Sequence, residues 1–404
     1  MPTYAAVLGH QPALSLSELA AVIPDFTPQR MLGEHVCVFA SDMNLTDSWM
    51  RTIGGTVFLA RQITEAGLDD VPQIMSNALS AVKGKVTFSI RGYNTDKAKL
   101  HKLYRSCKEY LKKNGRPSRY VGTERTPTPA VLLRDAGLLD LRHGCELMLL
   151  PQGKEFWIGR TVAAQDVNTY AKRDMGKPVR DLKTGLLPPK LAQILLNFAF
   201  SLAAPEGKNP KLTIVDPFCG TGVILLEAMM RGWNVLGSDL SERAVKGATK
   251  NIEWIRKEEN ILKKNVEALV WKQDARKPFD AKNIPAGSPA AIVTETSLGT
   301  TLEKKPTLRD ATKMRNDNEK LQIDFLTNAK ATLPGLPIVC IWPVWRTSKG
   351  PVYLEKIWAQ LPKIGYTPVL PPRTKPHTSG HFSMIYQRPE QFVGREIVLL
   401  KPKK

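Results

Sequence analysis

LTIVDPFCGTG, residues 212–222, decides the fold of the C-terminal half of this chain. Its first four residues are apolar and partly β-branched, as in a buried strand, and the following VILLEAMMRG has apolar residues at helical spacing. Glycines between the strand and the helix let the backbone approach a ligand, which the unpaired N–H groups of the helix start then face. The stretch therefore predicts a cofactor-binding turn, formed by Asp216, Pro217, Phe218, Cys219, Gly220 and Gly222.

Two more acidic residues follow predicted strands further along the chain. Asp239 closes the run WNVLGSD, and Asp274 follows ALVWKQ. Acids at the ends of successive parallel strands suit a ligand that carries adenosine, because they can accept hydrogen bonds from ribose hydroxyls. Each acid by itself also fits a helix cap. Neither a GxGxxG motif nor a GK[ST] motif follows the strand, which disfavours a nicotinamide enzyme and a P-loop NTPase.

The composition agrees with a polyanionic partner. The chain has 58 Lys and Arg against 38 Asp and Glu, a formal net charge of +20. This excess leaves RNA, DNA and an anionic membrane surface open as partners. No run of 18 apolar residues and no secretion-type N-terminal segment is present, so we expect a cytoplasmic protein without membrane insertion.

The cysteines and histidines predict neither a disulfide framework nor a metal site. Five cysteines are scattered without a CxxC spacing, and six histidines do not cluster. We expect reduced thiols and no metal. A catalytic thiolate at Cys219 is left as an alternative.

Several phrases outside the cofactor turn carry a family resemblance. FSIRGYN, PSRYV and FWIGRTVAAQD resemble a THUMP domain, and LLPPKLAQILLN together with DPFCGTG resembles the linker and catalytic domain of archaeal-type tRNA guanosine-10 N2-methyltransferases. The resemblance implies an α/β protein with a C-terminal Rossmann-type S-adenosylmethionine (SAM) methyltransferase sheet that has an antiparallel last strand. It also implies ferredoxin-like and THUMP-like α+β domains before it. We expect modules at residues 1–60 (ferredoxin-like), 61–166 (THUMP-like), 167–190 (basic linker) and 191–404 (methyltransferase).

Two local predictions belong to the N-terminal modules. Ser15 with Glu18 has the spacing of a capping box, so a helix is expected to start after Ser15. AVLLRDAGLLD, residues 130–140, is interpreted as a strand.

The same resemblance assigns roles within the cofactor site. Asp216 and Gly220 would face the methionine end of SAM, Asp239 the ribose, and Asp274 the adenine amino group. The substrate would be tRNA, methylated on the exocyclic N2 amine of a guanosine.

The expected catalytic motif departs from the family pattern. Enzymes of this class carry Asp/Asn-Pro-Pro-Tyr after the fourth strand, whereas this chain has Glu295, Thr296, Ser297 and Leu298 after AAIVT. The motif accepts the N–H groups of the target amine and stacks an aromatic ring on the base. Here Glu295 keeps an acceptor, Leu298 can pack against a base, and the two prolines are lost.

A cluster of cations precedes the catalytic domain. The sequence predicts a phosphate-contacting tether, in which the candidate RNA-binding residues are Lys172, Arg173, Lys177, Arg180, Lys183 and Lys190. A solvated linker explains the same charges.

Two functions from different classes follow. The first is an active SAM-dependent tRNA (guanine-N2) methyltransferase, and the second is an RNA-binding homologue that retains SAM without this chemistry. A DNA amino-methyltransferase is a weaker alternative because of the THUMP-like half. The requirement for a partner protein subunit is left open.

Overall fold

A computed structural model of the protein describes residues 1–122, 128–181, 186–204, 210–279, 290–299 and 301–403. The chain divides into two compact units. Unit 1 contains Met1–Leu16 and Ile23–Tyr170, and unit 2 contains Ser17–Val22 and Ala171–Lys404.

Unit 1 is an α+β arrangement. Short 3₁₀ helices occur at Asp47–Arg51 and Leu68–Asp70. Its other elements, with the two helices α1 and α5 that cross the boundary between the units, are β1 (Thr3–Leu8), α1 (Pro12–Val22), β2 (Thr27–Leu32), β3 (Val36–Ala40), β4 (Thr56–Ala66), α2 (Val71–Ala78), β5 (Val86–Gly92), α3 (Lys97–Lys113), β6 (Ser118–Tyr120), α4 (Ala130–Asp135), β7 (Gly144–Gln152), β8 (Glu155–Ala164) and α5 (Val167–Met175).

The strands of unit 1 form one sheet in the order β2-β3-β1-β4-β8-β7-β5-β6. The predicted boundary between modules 1–60 and 61–166 is therefore corrected, because β4 runs through residue 60 and pairs with β1 on one side and β8 on the other. Leu103, Cys107 and Leu111 of α3 recur at helical spacing and are buried against this sheet.

The two local predictions in unit 1 are wrong. Helix α1 begins at Pro12, and Ser15 lies inside it, where its Oγ donates a hydrogen bond to the Gln11 carbonyl (3.0 Å). Proline is tolerated in a first helical turn, so the helix can start four residues earlier than the capping-box spacing indicated. Residues 130–135 form helix α4, in which Ala130 and Leu133 are buried at helical spacing.

Unit 2 alternates strands and helices. Its remaining elements are α6 (Pro189–Ala203), β9 (Thr213–Asp216), α7 (Val223–Met229), β10 (Asn234–Asp239), α8 (Glu242–Glu258), β11 (Ala268–Lys272), β12 (Ala290–Glu295), α9 (Leu308–Thr332), β13 (Ile338–Thr347), β14 (Gly350–Val352), α10 (Lys356–Ile364), β15 (Tyr366–Val369), β16 (Ser383–Tyr386) and β17 (Val393–Pro402).

The sheet of unit 2 has the order β11-β10-β9-β12-β13-β17-β15. The strands from β11 to β13 are parallel, and β17 is antiparallel to β13. The predicted Rossmann-type sheet with an antiparallel last strand is thus confirmed. Because the strand order reverses between β9 and β12, a ligand site is expected at the carboxyl ends of these strands. Phe325 of α9 and Trp342 of β13 are fully buried in the core on one face.

No helix in the described part of the chain is both long enough and apolar enough to cross a lipid bilayer.

Candidate active site

The carboxyl ends of β9, β10 and β12 open into one cavity of about 490 Å³. This volume lies in the ordinary range of about 300–1,000 Å³ for small-molecule sites. Every residue predicted for the cofactor turn and the catalytic motif lines the cavity except Gly222. The structure therefore brings the two predicted parts of the site together.

The cofactor turn has the backbone that its glycines predict. Gly220 and Gly222 both have positive φ, +52° and +88°, and α7 starts directly after Gly222. A Cβ atom on Gly220 would meet nothing within 4 Å, so the turn leaves open space toward the cavity. A Cβ atom on Gly222 would lie 3.3 Å from the Cβ atom of Ala248, so this glycine shapes the turn from behind.

Asp239 is fixed by the backbone around it. The N–H of Gly220 donates to its Oδ2 (3.0 Å), and the N–H of Ser241 donates to its Oδ1 (2.8 Å). The carboxylate is therefore oriented before any ligand binds. Each oxygen still has a lone pair that could accept a ribose hydroxyl.

Asp216 is the most deeply buried acid of the site, with 1% exposure. Burial, with smaller contributions from nearby Asp239 and Glu295, raises the pKa of Asp216 to about 7, against the lowering effect of the hydrogen bonds from Thr294 and Phe218. Thr294 Oγ1 donates to Asp216 Oδ1 (2.7 Å), and the Phe218 N–H donates to the same oxygen (3.2 Å). Asp216 is thus an acid whose charge depends on what binds beside it.

Asp274 is already paired with Arg276. The Arg276 guanidinium donates to both carboxylate oxygens (Nε to Oδ1, 3.0 Å; Nη2 to Oδ2, 2.8 Å), and its backbone N–H donates to Oδ1 (3.0 Å). These contacts, with the side-chain hydrogen bond as the main cause, lower the pKa of Asp274 to about 2. Asp274 therefore stays ionised as an acceptor.

Glu295 is also paired, with a partner from β17. Arg395 Nε donates to Glu295 Oε1 (2.6 Å), and the Arg395 side chain is 3% exposed. The two residues meet across β13, since Glu295 pairs with Ile341 and Arg395 with Pro343 of that strand. One oxygen of the predicted acceptor is therefore engaged by a buried cation.

Helix α9 holds the loop that follows Glu295. Asn318 Nδ2 donates to the Ser297 carbonyl (2.6 Å), and Gln322 Nε2 donates to Thr296 Oγ1 (2.8 Å). Thr296 Oγ1 in turn donates to the Ile341 carbonyl (2.7 Å). Threonine and serine stand where the family motif has prolines, and these side-chain hydrogen bonds restrict the loop in their place.

The candidate RNA-binding residues differ in how deeply they are buried. Arg173 is buried and donates to Glu227 Oε1 (2.7 Å), and Lys177 is buried with no hydrogen-bond partner for Nζ among the described residues. Burial lowers the pKa of Lys177. These two predictions are corrected, because a buried cation does not reach a phosphate from the surface.

The other members of the basic set have different surroundings. Lys172 is exposed and forms an ion pair with Glu258. Arg180 and Lys190 are exposed, and Arg180 lines the cavity. Lys183 lies outside the described residues.

The structure also describes the surroundings of Cys219 and the groups that could bind a metal. Cys219 is buried, and burial raises its pKa well above its ordinary value, so a thiolate is disfavoured. Among the residues that the structure describes, no group of three or more His, Cys, Asp or Glu side chains could hold a metal ion.

The donor set of the cavity fits a cationic cofactor that carries an adenosine. Asp216 and Glu295 are acidic groups at the turn, and Asp239 and Asp274 offer acceptors for hydroxyl and amino groups. The open space over Gly220 leaves room for a ligand close to the backbone. SAM combines these features, since it has a sulfonium, an α-amino group, a ribose and an adenine.

A comparison with known families identifies the domain. A family model described as UPF0020, RMKL-like, methyltransferase domain, matches residues 180–309, which include the cofactor turn, Asp239, Asp274 and the loop after Glu295. Residues 180–309 are a methyltransferase domain. The cofactor of this methyltransferase domain is SAM, as the sequence predicted.

Curated relatives also match this chain. They are tRNA (guanine(10)-N2)-dimethyltransferases from Methanocaldococcus jannaschii (34% identical over 151 residues, 37% of this chain and 39% of the relative) and Pyrococcus abyssi (29% over 134 residues, 32% and 36%). A third, from Methanothermobacter thermautotrophicus, is 39% identical over 69 residues, 17% of this chain and 18% of the relative. These matches confirm the predicted likeness to this methyltransferase family, although they span less than two fifths of each relative's length.

The fold of the whole chain has a structural neighbour. The crystal structure of TrmN from Thermus thermophilus superposes with a TM-score of 0.50 at 17% identity, covering 99% of this chain and 100% of that one. This likeness concerns the fold. It agrees with the α/β architecture described above.

Several residues that hold the site together were not predicted from the sequence. Arg276 could have been found, because a cation two residues after an acid at a strand end can pair with it locally. Arg395, Asn318 and Gln322 carry no local signal, since each lies more than 20 residues from the residue to which it donates a hydrogen bond.

Proposed function

We propose that this chain is a SAM-dependent methyltransferase that modifies the exocyclic N2 amine of a guanosine in tRNA. The observation that carries the proposal is the shared cavity, which joins the cofactor turn to the loop at residues 295–299 inside the methyltransferase domain. The relatives named above support the choice of guanine N2 and of tRNA. The proposal includes an RNA-binding role for unit 1, like that of a THUMP domain.

The chemistry asks the chain to activate a weak nucleophile. When bound, SAM supplies an electrophilic methyl group. The lone pair of the guanine N2 amine is delocalised into the ring, and acceptors for its N–H groups restore electron density to nitrogen. Glu295 has its second carboxylate oxygen for this purpose, while Arg395 holds the first. The half-buried Leu298 lines the cavity and offers an apolar surface to a base.

Cationic surfaces in both units support an RNA substrate. Helix α3 of unit 1 presents exposed Lys and Arg side chains with a single acid, Glu109; the cations are Lys97, Lys99, Lys102, Arg105, Lys108, Lys112 and Lys113. Unit 2 adds the exposed Arg180 and Lys190. Phosphate contacts from such side chains dominate RNA affinity and make it dependent on salt.

A second candidate function is an RNA-binding protein that holds SAM without methyl transfer. The Glu295–Arg395 pair favours it, because a carboxylate engaged by a buried guanidinium is a weaker acceptor for an amine. The deciding assay incubates unmodified tRNA with the protein and isotopically labelled SAM, followed by nucleoside mass spectrometry. Labelled N2-methylguanosine or N2,N2-dimethylguanosine supports the first function. Confirmed SAM and tRNA binding with no label supports the second.

Variants can separate catalysis from folding at this pair. Glu295→Ala alone leaves Arg395 buried without its partner, which costs about 3–5 kcal/mol of stability. The double variant Glu295→Ala/Arg395→Met removes both charges and is expected to fold with near-native stability. If Glu295 accepts from the amine, the double variant loses methyl transfer while it keeps SAM binding. Retained transfer would show that Glu295 has only a structural role.

A further inference from the structure

Two exposed arginines lie at the mouth of the cofactor cavity. Arg180, in the segment after α5, and Arg243, in the first turns of α8, both line this cavity. Neither forms an ion pair with a carboxylate in the part of the chain that the structure describes. The third arginine of the cavity, Arg276, is committed to Asp274 by two side-chain hydrogen bonds.

Asn251 fixes the segment that carries Arg180. Its Oδ1 accepts from the Val179 N–H (2.9 Å), and its Nδ2 donates to the carbonyls of Val179 (2.9 Å) and Thr221 (2.8 Å). Asn251 is fully buried, so these contacts are shielded from water. The backbone next to Arg180 is therefore linked to the cofactor turn by the hydrogen bonds of Asn251.

The same helix places Arg243 beside that segment. Gly247 lies one turn after Arg243 on the same face of α8. A Cβ atom on Gly247 would lie 3.0 Å from Val179 Cγ1, so Val179 rests on this glycine. The two arginines consequently project from adjoining backbone at one side of the cavity mouth.

The charges of the cavity change sign from its floor to its mouth. The acids deep in the cavity are the buried Asp216 and the mostly buried Glu295, which is paired with Arg395, so the interior favours a cation over an anion. Arg180 and Arg243 are exposed and attract an anion at the mouth. Two guanidinium groups suit a phosphate, because each can donate two parallel hydrogen bonds to its oxygens.

We propose that Arg180 and Arg243 form a phosphate subsite, which receives an RNA backbone phosphate next to the nucleotide whose base enters the cavity. This inference rests on the proposed tRNA substrate. It adds the position at which the RNA backbone would be bound next to the active site. Arg243 was not among the RNA-binding residues that the sequence predicted.

The test measures how salt changes tRNA affinity. Unmodified tRNA is titrated with wild type, Arg180→Gln/Arg243→Gln and the control Lys263→Gln/Lys264→Gln between 50 and 200 mM salt. The control removes two exposed charges from unit 2 that do not line the cavity. Two lost phosphate contacts lower the slope of log affinity against log salt by about 1.4–1.8. This makes the arginine variant about tenfold less sensitive to that fourfold salt change than the wild type.

Calorimetric titration with SAM supplies the second readout. The subsite predicts that the arginine variant binds SAM as the wild type does. A salt slope equal to that of the lysine control would overturn the proposal. So would a loss of SAM affinity with tRNA binding unchanged, because the arginines would then serve the cofactor carboxylate.

The assay also keeps the two proposals apart. Wild type that binds tRNA without transferring a methyl group contradicts the proposed reaction, whereas the slope difference between variants still supports the subsite. Methyl transfer by the wild type, together with equal salt slopes for the arginine variant and the lysine control, supports the reaction and contradicts the phosphate subsite.

Discussion

Asp216 should make SAM binding depend on pH. Burial raises its pKa from an ordinary 3.8 to about 7, so in the free protein this carboxyl is mostly protonated at pH 6 and mostly ionised at pH 8. A cationic ligand beside it favours the ionised form and draws the proton off. With a pKa near 7, the ionised fraction rises from about 0.09 to about 0.91 between these values. SAM affinity should therefore rise about tenfold from pH 6 to pH 8 through this residue alone.

The measurement is calorimetric titration of SAM at several pH values in buffers of different ionisation enthalpy. Wild type should release about 0.9 proton from Asp216 on binding at pH 6 and about 0.1 at pH 8. The α-amino group of SAM also titrates near this range. Comparison with Asp216→Asn removes the contribution of the ligand, because the α-amino group of SAM titrates equally with both proteins. The difference in proton release between the two proteins then belongs to Asp216. The amide keeps an oxygen that can accept from Thr294 and Phe218.

Asp239→Asn is the matched control for this prediction. It changes an acid that two backbone N–H groups already satisfy, so it should weaken binding at every pH while SAM affinity still rises with pH. The rise should be centred at a lower pH than in the wild type, because loss of the Asp239 charge lowers the pKa of Asp216. Equal pH slopes for wild type and Asp216→Asn would refute the reasoning.

The same raised pKa predicts how the stability of the SAM-free protein changes with pH. The folded pKa lies above the unfolded value, so the contribution of Asp216 is fully present below about pH 4 and is lost as the pH rises through about 7. This difference between the folded and unfolded pKa values corresponds to about 4 kcal/mol in the free energy of unfolding. Asp216→Asn should remove this part of the pH dependence in urea unfolding.

Two further predictions concern residues that position the methyltransferase domain. Arg173→Gln leaves the buried Glu227 without its cation and should lower the free energy of unfolding by about 3–5 kcal/mol in urea titration. Lys263→Gln at an exposed position should change it by less than about 0.5 kcal/mol, and equal effects of the two substitutions would contradict the assigned burial. Gln322→Ala removes the hydrogen bond to Thr296 and should lower kcat while the KM for SAM stays unchanged, because Gln322 does not line the cavity. Lys320→Ala on the exposed side of α9 is its control, and a raised KM with normal kcat would argue against a role for Gln322 in holding the loop.

The strands, the glycine turn and the helix around the predicted cofactor site could be predicted from the sequence because their determinants are local. The strand, the glycine turn and the helix at residues 212–232 are adjacent, and Asp239 and Asp274 follow their own strands. Short-range periodicity and backbone preference decide such elements. The parallel sheet then brings the strand ends together without further information.

The errors have equally physical reasons. The six-residue helix α4 was interpreted as a strand because a short apolar run fits both structures. Arg173 was interpreted as a surface cation because its partner Glu227 lies 54 residues away. The Glu295–Arg395 pair joins positions 100 residues apart, which no spacing in a single sequence reveals.

The four acids of the site are stabilised in different ways, and the difference assigns their roles. Arginines hold Asp274 and Glu295, and backbone N–H groups hold Asp239, so none of these three needs a ligand to offset its charge. Asp216 has hydrogen bonds from Thr294 and Phe218 and no cation partner within the described residues, and its raised pKa shows that these bonds do not offset its burial. A bound cation is what would complete its surroundings. We therefore expect cofactor binding and protonation to be coupled at Asp216, whereas the other three acids are expected to supply fixed geometry.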